Sequence, residues 1–349
     1  MTSTIIPTPD TIPVHWIWFQ VLLTFTFVLH LLLMNLVAGG SLIAIWELIR
    51  AKKTSTETRQ LPILIALTIN FGVPPLLFVQ VLFGHFFYTS SVLMAVFWIL
   101  VIPILILAYY GAYIFSRKIG TTLAKVSLII STLLILYIAF MFVNNSTFAL
   151  QPDKWSEYFN NQGGTLLNLH DASLWPRFLH FMIAAVAIAG LGKAVWAKYF
   201  SKKPNDENKK ALIKKNLRIF GFATMIQFII GTWFWLSMPG KVTKTFMGDN
   251  LIATLLMIIV FLSALLIIIF AMRGKLIQAL IQGIFQVVLM SIVREITRST
   301  YLSGIFSPAQ LENVHQSSPL VAFLLVFIIG LFLLYFMYQL TVKSKSNES

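Results

Sequence analysis

Residues Asn250–Met272 read NLIATLLMIIVFLSALLIIIFAM, a run without a single charged side chain and long enough to cross a bilayer. Comparable runs occupy about 17–48, 61–84, 91–115, 126–147, 177–199, 217–237, 250–272, 275–297 and 319–342. The fold class is therefore an all-α integral membrane protein, a bundle of about nine transmembrane helices. It is one transmembrane domain over residues 1–349. Composition agrees: 58% of residues are hydrophobic, 11% are charged, and mean hydropathy is +0.83. A soluble domain carries roughly a quarter charged residues, so this chain cannot cover itself against water.

The chain has no cysteine, which excludes disulfides, thiolate-held iron–sulfur clusters and haem attached through C-x-x-C-H. Met1–Val14 is polar and lacks Lys and Arg, so the first apolar run reads as a retained helix rather than a cleaved signal.

The formal charge of +14 would suit nucleic acid, but its distribution points to the bilayer instead. With the N-terminus outside and the C-terminus cytoplasmic, the inner side holds Arg50, Lys52, Lys53, Arg59, Arg117, Lys118, Lys125, Lys193 and Lys198. It also holds Lys202, Lys203, Lys209, Lys210, Lys214, Lys215, Arg218, Arg273, Lys275, Lys343 and Lys345, making 20 of the 26 basic residues. Lys154, Arg177, Lys241, Lys244, Arg294 and Arg298 remain outside. Such a split is the positive-inside signature, with added attraction to anionic inner-leaflet lipid. Ser201–Lys215 reads as a solvated connector. Asn144–Pro176 reads as an outer loop with one short helix on the surface.

Ionisable and polar side chains at membrane depth are the functional candidates. His15, His85, His170 and His315 fall at or beyond outer helix ends, His30 in the outer half of the first helix, and His180 near the outer start of the fifth. Gln80, Met257, Glu295 and Arg298 reach similar depths, all within roughly 15 Å of the outer boundary by helical rise. Such a set suits axial ligation of haem and neutralisation of its propionates. Each residue also has a structural reading. His30 suits a hydrogen bond between helices, Met257 suits packing, and Glu295 with Arg298 suits an interfacial i,i+3 pair. Gly39–Gly40 and the run Ala184, Ala185, Ala187, Ala189, Gly190 suit close helix packing as well as a porphyrin slot.

The order of these residues resembles subunit I of the cytochrome bd quinol oxidases. The stretch His30-LLLMNLVAGGSLIAIWE, with Leu36, Gly39 and Glu47, is similar to that family's first helix. Ile69-Asn70-Phe71-Gly72-Val73 followed by Gln80-VL-Phe83-Gly84 is similar to its I-N-F…G-V…E-F-Q-F-G stretch. Arg177-Phe178-Leu179-His180 resembles R-F-x-H, Met257 falls where the family has a methionine ligand, and Arg294-Glu295-IT-Arg298-ST-Tyr301 resembles T-E-x-G-R-Q-P-W. The resemblance implies His180 and Met257 as low-spin haem b ligands, with His30 and Glu295 as candidate ligands of a second site. It implies one or two haems b, quinol as substrate, a multi-pass place in a bacterial-type inner membrane, and Lys241 and Lys244 as partial remnants of a quinol loop.

Departures from the family pattern shape the functional expectation. Gln80 replaces a carboxylate, Ser91–Phe115 contains no acid, and the quinol loop shrinks to Ser237–Asn250. Reducing O₂ to water needs delivered protons, so the leading expectation is a quinol-linked oxidoreductase subunit without that chemistry. It would be a haem b electron-transfer subunit of a respiratory complex, passing electrons from membrane quinol to a periplasmic c-type cytochrome. The alternatives are a divergent bd-type terminal quinol:oxygen oxidoreductase and a haem-poor structural anchor.

Overall fold

The computed structural model describes residues 5–51, 59–200, 206–314, 316 and 318–347. His315, Lys52, Lys53, Lys202 and Lys203 lie outside them. Among the described residues every regular element is helical apart from one isolated bridge. The long helices are α1 (Trp16–Ala51), α2 (Leu61–Leu93), α3 (Ala95–Arg117), α4 (Thr122–Ala149), α5 (Leu174–Tyr199) and α6 (Asp206–Leu236). A short α7 (Gly240–Lys244) precedes α8 (Leu251–Met272), α9 (Leu276–Tyr301) and α10 (Ser318–Asn347). Eight of these, α1 to α6 with α8 and α9, are long and apolar enough to cross a membrane, which makes the chain a multi-pass membrane protein. In α10 the described side chains are almost all exposed, and its apolar stretch is Leu324–Met337.

Several helices run past the apolar segments that reveal them. The largest difference is α6, which begins at Asp206, so most of the expected solvated connector is helix. The reason is local: Asp206 and Glu207 face the positive helix start, and Lys209, Lys210, Ala211 and Leu212 are good helix formers. α2 continues to Leu93 through Pro74 and Pro75 and bends at Phe83, whose φ/ψ of −134°/29° is non-helical. His85 therefore sits within α2, past the bend, rather than beyond a helix end. At 36 residues, α1 measures about 54 Å, well over the ~30 Å hydrocarbon core, so it must tilt or project.

Contacts between elements define two ends. One carries Trp16, Phe83–Leu93, Asn144–Ala149, Leu174–His180, Phe234 and Arg294–Tyr301; we call it the histidine end. The other carries Glu47, Arg59, Arg117, Thr122, Lys193 and Lys215, and is the basic end. Large apolar side chains such as Ile99, Ile102, Ile229 and Ile252 are exposed on the flanks. Lipid is as apolar as leucine, so side-chain burial drives little helix association there, and close packing must do it. Gly39 shows how close: a Cβ at this position would lie 2.0 Å from the Ala185 carbonyl oxygen. Gly190 approaches the Asn216 backbone of α6 similarly, a Cβ there meeting its carbonyl oxygen at 3.1 Å. These small residues are where α1, α5 and α6 cross.

Loops seal the histidine end. The short helix expected within Asn144–Pro176 is a 3₁₀ segment, Pro152–Asn160, that buries Trp155 rather than lying free on the surface. The Trp155 indole donates to the Phe148 carbonyl at 2.9 Å. Gly164, at φ +66°, lets the loop press on Ala95 and accept from Val96 N at 3.0 Å. Ile12 pairs with the segment after α9 through Ile12 N to Glu312 O and Val314 N to Ile12 O, both 2.9 Å.

Candidate functional site

His180 occupies the second turn of α5 and is half-buried, with its Nδ1 buried. Its ring faces Gly231 of α6, where a Cβ would come within 3.3 Å of Nδ1, a tight contact that glycine avoids. The Phe234 ring lies 5.8 Å away, centroid to centroid. Gln227 Nε2 donates to the His180 backbone carbonyl at 3.0 Å, fixing α6 against α5 at this level. His180 Nδ1 is buried without a hydrogen-bond partner, as are Gln227 Oε1, Arg177 Nε and Trp235 Nε1. Burying such atoms unpaired costs about 1–3 kcal/mol each.

Met257 is half-buried two turns into α8. It packs on the cluster of Met238, Val242, Phe246, Ala253, Val260, Leu289 and Val293, to which Phe234 and Trp235 also belong. Phe234, which lies against His180, packs on the same cluster. Arg177, one turn before His180, is buried with its guanidinium 5.1 Å over the Phe234 ring and weak contacts to Ser146 and Ser173 hydroxyls at 3.4 Å. An imidazole nitrogen, a thioether and a guanidinium are the chemical types that a haem b takes as nitrogen ligand, sulfur ligand and propionate partner.

His30 is held against α2. Its Nδ1 lies 3.0 Å from the Thr68 carbonyl oxygen, which can only accept, so the proton sits on Nδ1 and the lone pair on Nε2. Gly72 presses on the same ring; a Cβ there would lie 2.9 Å from Nδ1. A ligating histidine characteristically anchors one nitrogen to a carbonyl in this way. His30 and His180 both lie on the histidine-end side of the Gly39–Ala185 crossing, by about 13 and 8 Å of helical rise.

Glu295 is placed elsewhere. Its carboxylate accepts from Arg294 at 2.6 Å, Arg298 at 3.1 Å and Gln20 Nε2 at 3.0 Å. Gln20 precedes His30 by ten residues, about 15 Å along α1, so Glu295 and His30 are engaged at different levels. The two arginines stack on aromatic faces, Arg294 on Phe27 at 4.2 Å and Arg298 on Phe83 at 4.5 Å. The bend at Phe83 thus turns its ring toward the buried Arg298.

The remaining candidates scatter around this end. Gln80 accepts the Tyr88 hydroxyl at 3.3 Å within α2. His85 is enclosed by Phe86 and Phe306, with centroids at 4.3 and 4.5 Å. His15 Nδ1 accepts from Ile17 N, and His170 is exposed. Lys241 donates to the Ser303 carbonyl at 3.1 Å and borders a cleft with Asp171, Tyr301 and Gln151, while Lys244 is exposed. Outside the membrane, burial raises the Asp171 carboxyl, but bonds from Ser173 and Gln151 and the Lys154 charge outweigh it and hold the carboxyl below its ordinary value.

Gln227 and Trp235 escaped sequence reasoning, though a lone amide within an apolar run is the membrane signal that flags Gln227. Among the described residues no three His, Asp or Glu side chains converge as a metal site. Searches of family models, curated proteins and solved structures return no match to this chain.

Proposed function

We propose that this chain is a haem b-binding membrane subunit that takes electrons from quinol and passes them toward a partner at the histidine end. The observation that carries the reading is the buried, unpartnered His180 Nδ1 with the unmatched polar atoms around it. Bound there, haem b would supply a one-electron carrier. His180 and Met257 would hold it, a nitrogen and thioether pair that raises its potential. Arg177 would neutralise a propionate, and Gly231 would leave the imidazole room to turn. His30, its Nδ1 tied to Thr68, is the second candidate ligand. Lys241 and Tyr301 border the cleft where a quinol head would dock.

The same reading takes the basic end as cytoplasmic, α10 as a ninth crossing, and the membrane as a bacterial inner membrane, on the Lys/Arg bias of the short connections. The acceptor would then be a periplasmic c-type cytochrome. Oxygen reduction gains no support from Gln80, whose amide accepts Tyr88 within its own helix. Glu295, saturated by three donors, favours a structural role for that residue over ligation of iron.

The test is optical. A reduced-minus-oxidised spectrum of the purified protein should show a haem b band, and a pyridine haemochrome assay should count haems per chain. His180→Ala should abolish the low-spin band while His15→Ala leaves it intact. A purified, folded protein without any haem signal would overturn the proposal in favour of a structural anchor.

A further inference from the structure

The redox reading leaves the basic end without a role. There, between α1 and α6, a cleft of about 330 Å³ is lined by Trp46, Ala211, Lys214, Lys215, Arg218 and Ile219. Its floor is apolar and its rim is cationic, the two halves of a phospholipid. We propose that this cleft binds one anionic phospholipid, its phosphate held by Lys214 and Arg218 and an acyl chain lying along Trp46 and Ile219.

Charge at the rim supports an anion. Lys215 lies 3.6 Å from Glu47, but that carboxylate is already engaged by Lys193 at 3.0 Å. One carboxylate thus faces two ammonium groups, and Lys214 and Arg218 add two further exposed cations on the same helix. The acids Asp206 and Glu207 lie at least seven residues away along α6, about 10 Å from Lys214. Arg50 adds a guanidinium 4.7 Å from the Trp46 ring centroid, on the α1 side of the cleft.

Chemistry narrows the anion to a lipid. A guanidinium grips phosphate oxygens through a planar fork, and a neighbouring ammonium adds a point charge. An indole belongs at the level of membrane headgroups. A free phosphate would gain nothing from the apolar floor of Trp46, Ala211 and Ile219, whereas an acyl chain covers it. General attraction to an anionic leaflet acts on every nearby Lys and Arg alike, about 1 kcal/mol each, and selects no position. Convergence of both cations on one cleft between two helices does select one. This inference is independent of any haem.

The full chain, purified in detergent and equilibrated with equimolar phosphatidylglycerol and phosphatidylcholine, can be read by native mass spectrometry. The wild type should retain one phosphatidylglycerol with about thirtyfold preference, the size that two rim cations supply. Lys214→Gln with Arg218→Gln should bring the preference to parity. Arg273→Gln with Lys275→Gln, at the α8–α9 turn of the same end, should leave it unchanged. If the first double variant does not fold, Arg218→Ala alone should lower the preference about fivefold. Equal losses in both double variants, no preference in the wild type, an unchanged preference in Arg218→Ala, or complete displacement of the lipid by millimolar inorganic phosphate would each overturn the proposal.

Discussion

Each end of the bundle buries a carboxylate, and the two are satisfied differently. Glu47 at the basic end draws Lys193 from α5 and Lys215 from α6, so its charge ties three helices together. Glu295 at the histidine end takes both its guanidinium partners from its own helix and reaches α1 only through the Gln20 amide. The surroundings differ too. At the basic end Asn216 Oδ1 is a buried atom without a partner, while the histidine end gathers His180 Nδ1, Arg177 Nε, Gln227 Oε1 and Trp235 Nε1. A membrane protein can close one end as a clamp and leave the other built around groups its own side chains do not match. The second kind of end is where the proposed haem would sit.

The strongest way to break this contrast is Glu47→Gln. Both side chains of the Glu47–Lys193 pair are about 90% buried, so removing the carboxylate leaves an ammonium in poor solvent. Losing one partner of a buried pair costs about 3–5 kcal/mol. Thermal unfolding in detergent should report that loss with no change in any haem spectrum. An unchanged melting temperature would mean that the basic end is not clamped by charge.

Glu295→Gln should cost less, about 2–3 kcal/mol, because the amide oxygen still accepts one donor while Arg298 stays buried. Here the spectrum discriminates. A structural Glu295 leaves every haem band in place and loosens only the attachment of α9 to α1. Loss of a high-spin band at unchanged stability would make Glu295 an iron ligand, and the two ends would no longer differ in the way argued above.

Much of the architecture was legible because hydropathy alone reports membrane residence. The eight crossing helices lie where apolar runs predict them, and the five described histidines fall at one end. What sequence could not reveal are pairings across the chain: Glu47 with Lys193, 146 residues apart, and Gln20 with Glu295, 275 apart. Lys193 reads as one more positive-inside residue until α1 is placed beside α5. The helical start of α6 was hidden for another reason. Hydropathy sees only charge in Asp206–Lys215, whereas helix propensity and the helix dipole favour that stretch. The site itself was half legible: His180, Met257 and His30 stand out by type and depth, but the orphaned atoms of Gln227 and Trp235 emerge only from packing.

Acid should probe the loop that seals the histidine end. Asp171 accepts from Gln151 and from the Ser173 hydroxyl and N–H, and lies 3.7 Å from Lys154. Its folded-state value is below the ordinary one, so protons favour the unfolded loop. The stabilisation is complete above the unfolded carboxylate value near 4 and is lost as pH falls through the lower folded value. Hydrogen bonds to a charged group suggest a loss of about 2 kcal/mol. Melting temperature should fall below about pH 4 in the wild type, and that dependence should flatten in Asp171→Asn. Equal acid sensitivity in both proteins would place the titrating group elsewhere.

The smallest effect comes from two matched helix caps, one at each end. Asn250 Oδ1 accepts from Ala253 N at 3.0 Å and starts α8 at the histidine end, while Thr121 Oγ1 accepts from Ala124 N at 3.2 Å and starts α4 at the basic end. Removing either cap with alanine should cost about 1 kcal/mol, since each satisfies one otherwise orphaned donor of a helix start. The stability losses should therefore match. Their consequences should not, because Met257 lies two turns into α8 and depends on that first turn for its position. If Met257 holds the proposed haem, Asn250→Ala should broaden or shift its low-spin band, whereas Thr121→Ala should leave it unchanged. Equal spectra for the two variants at equal loss of stability would remove Met257 from the iron and leave His180 to find a different second ligand.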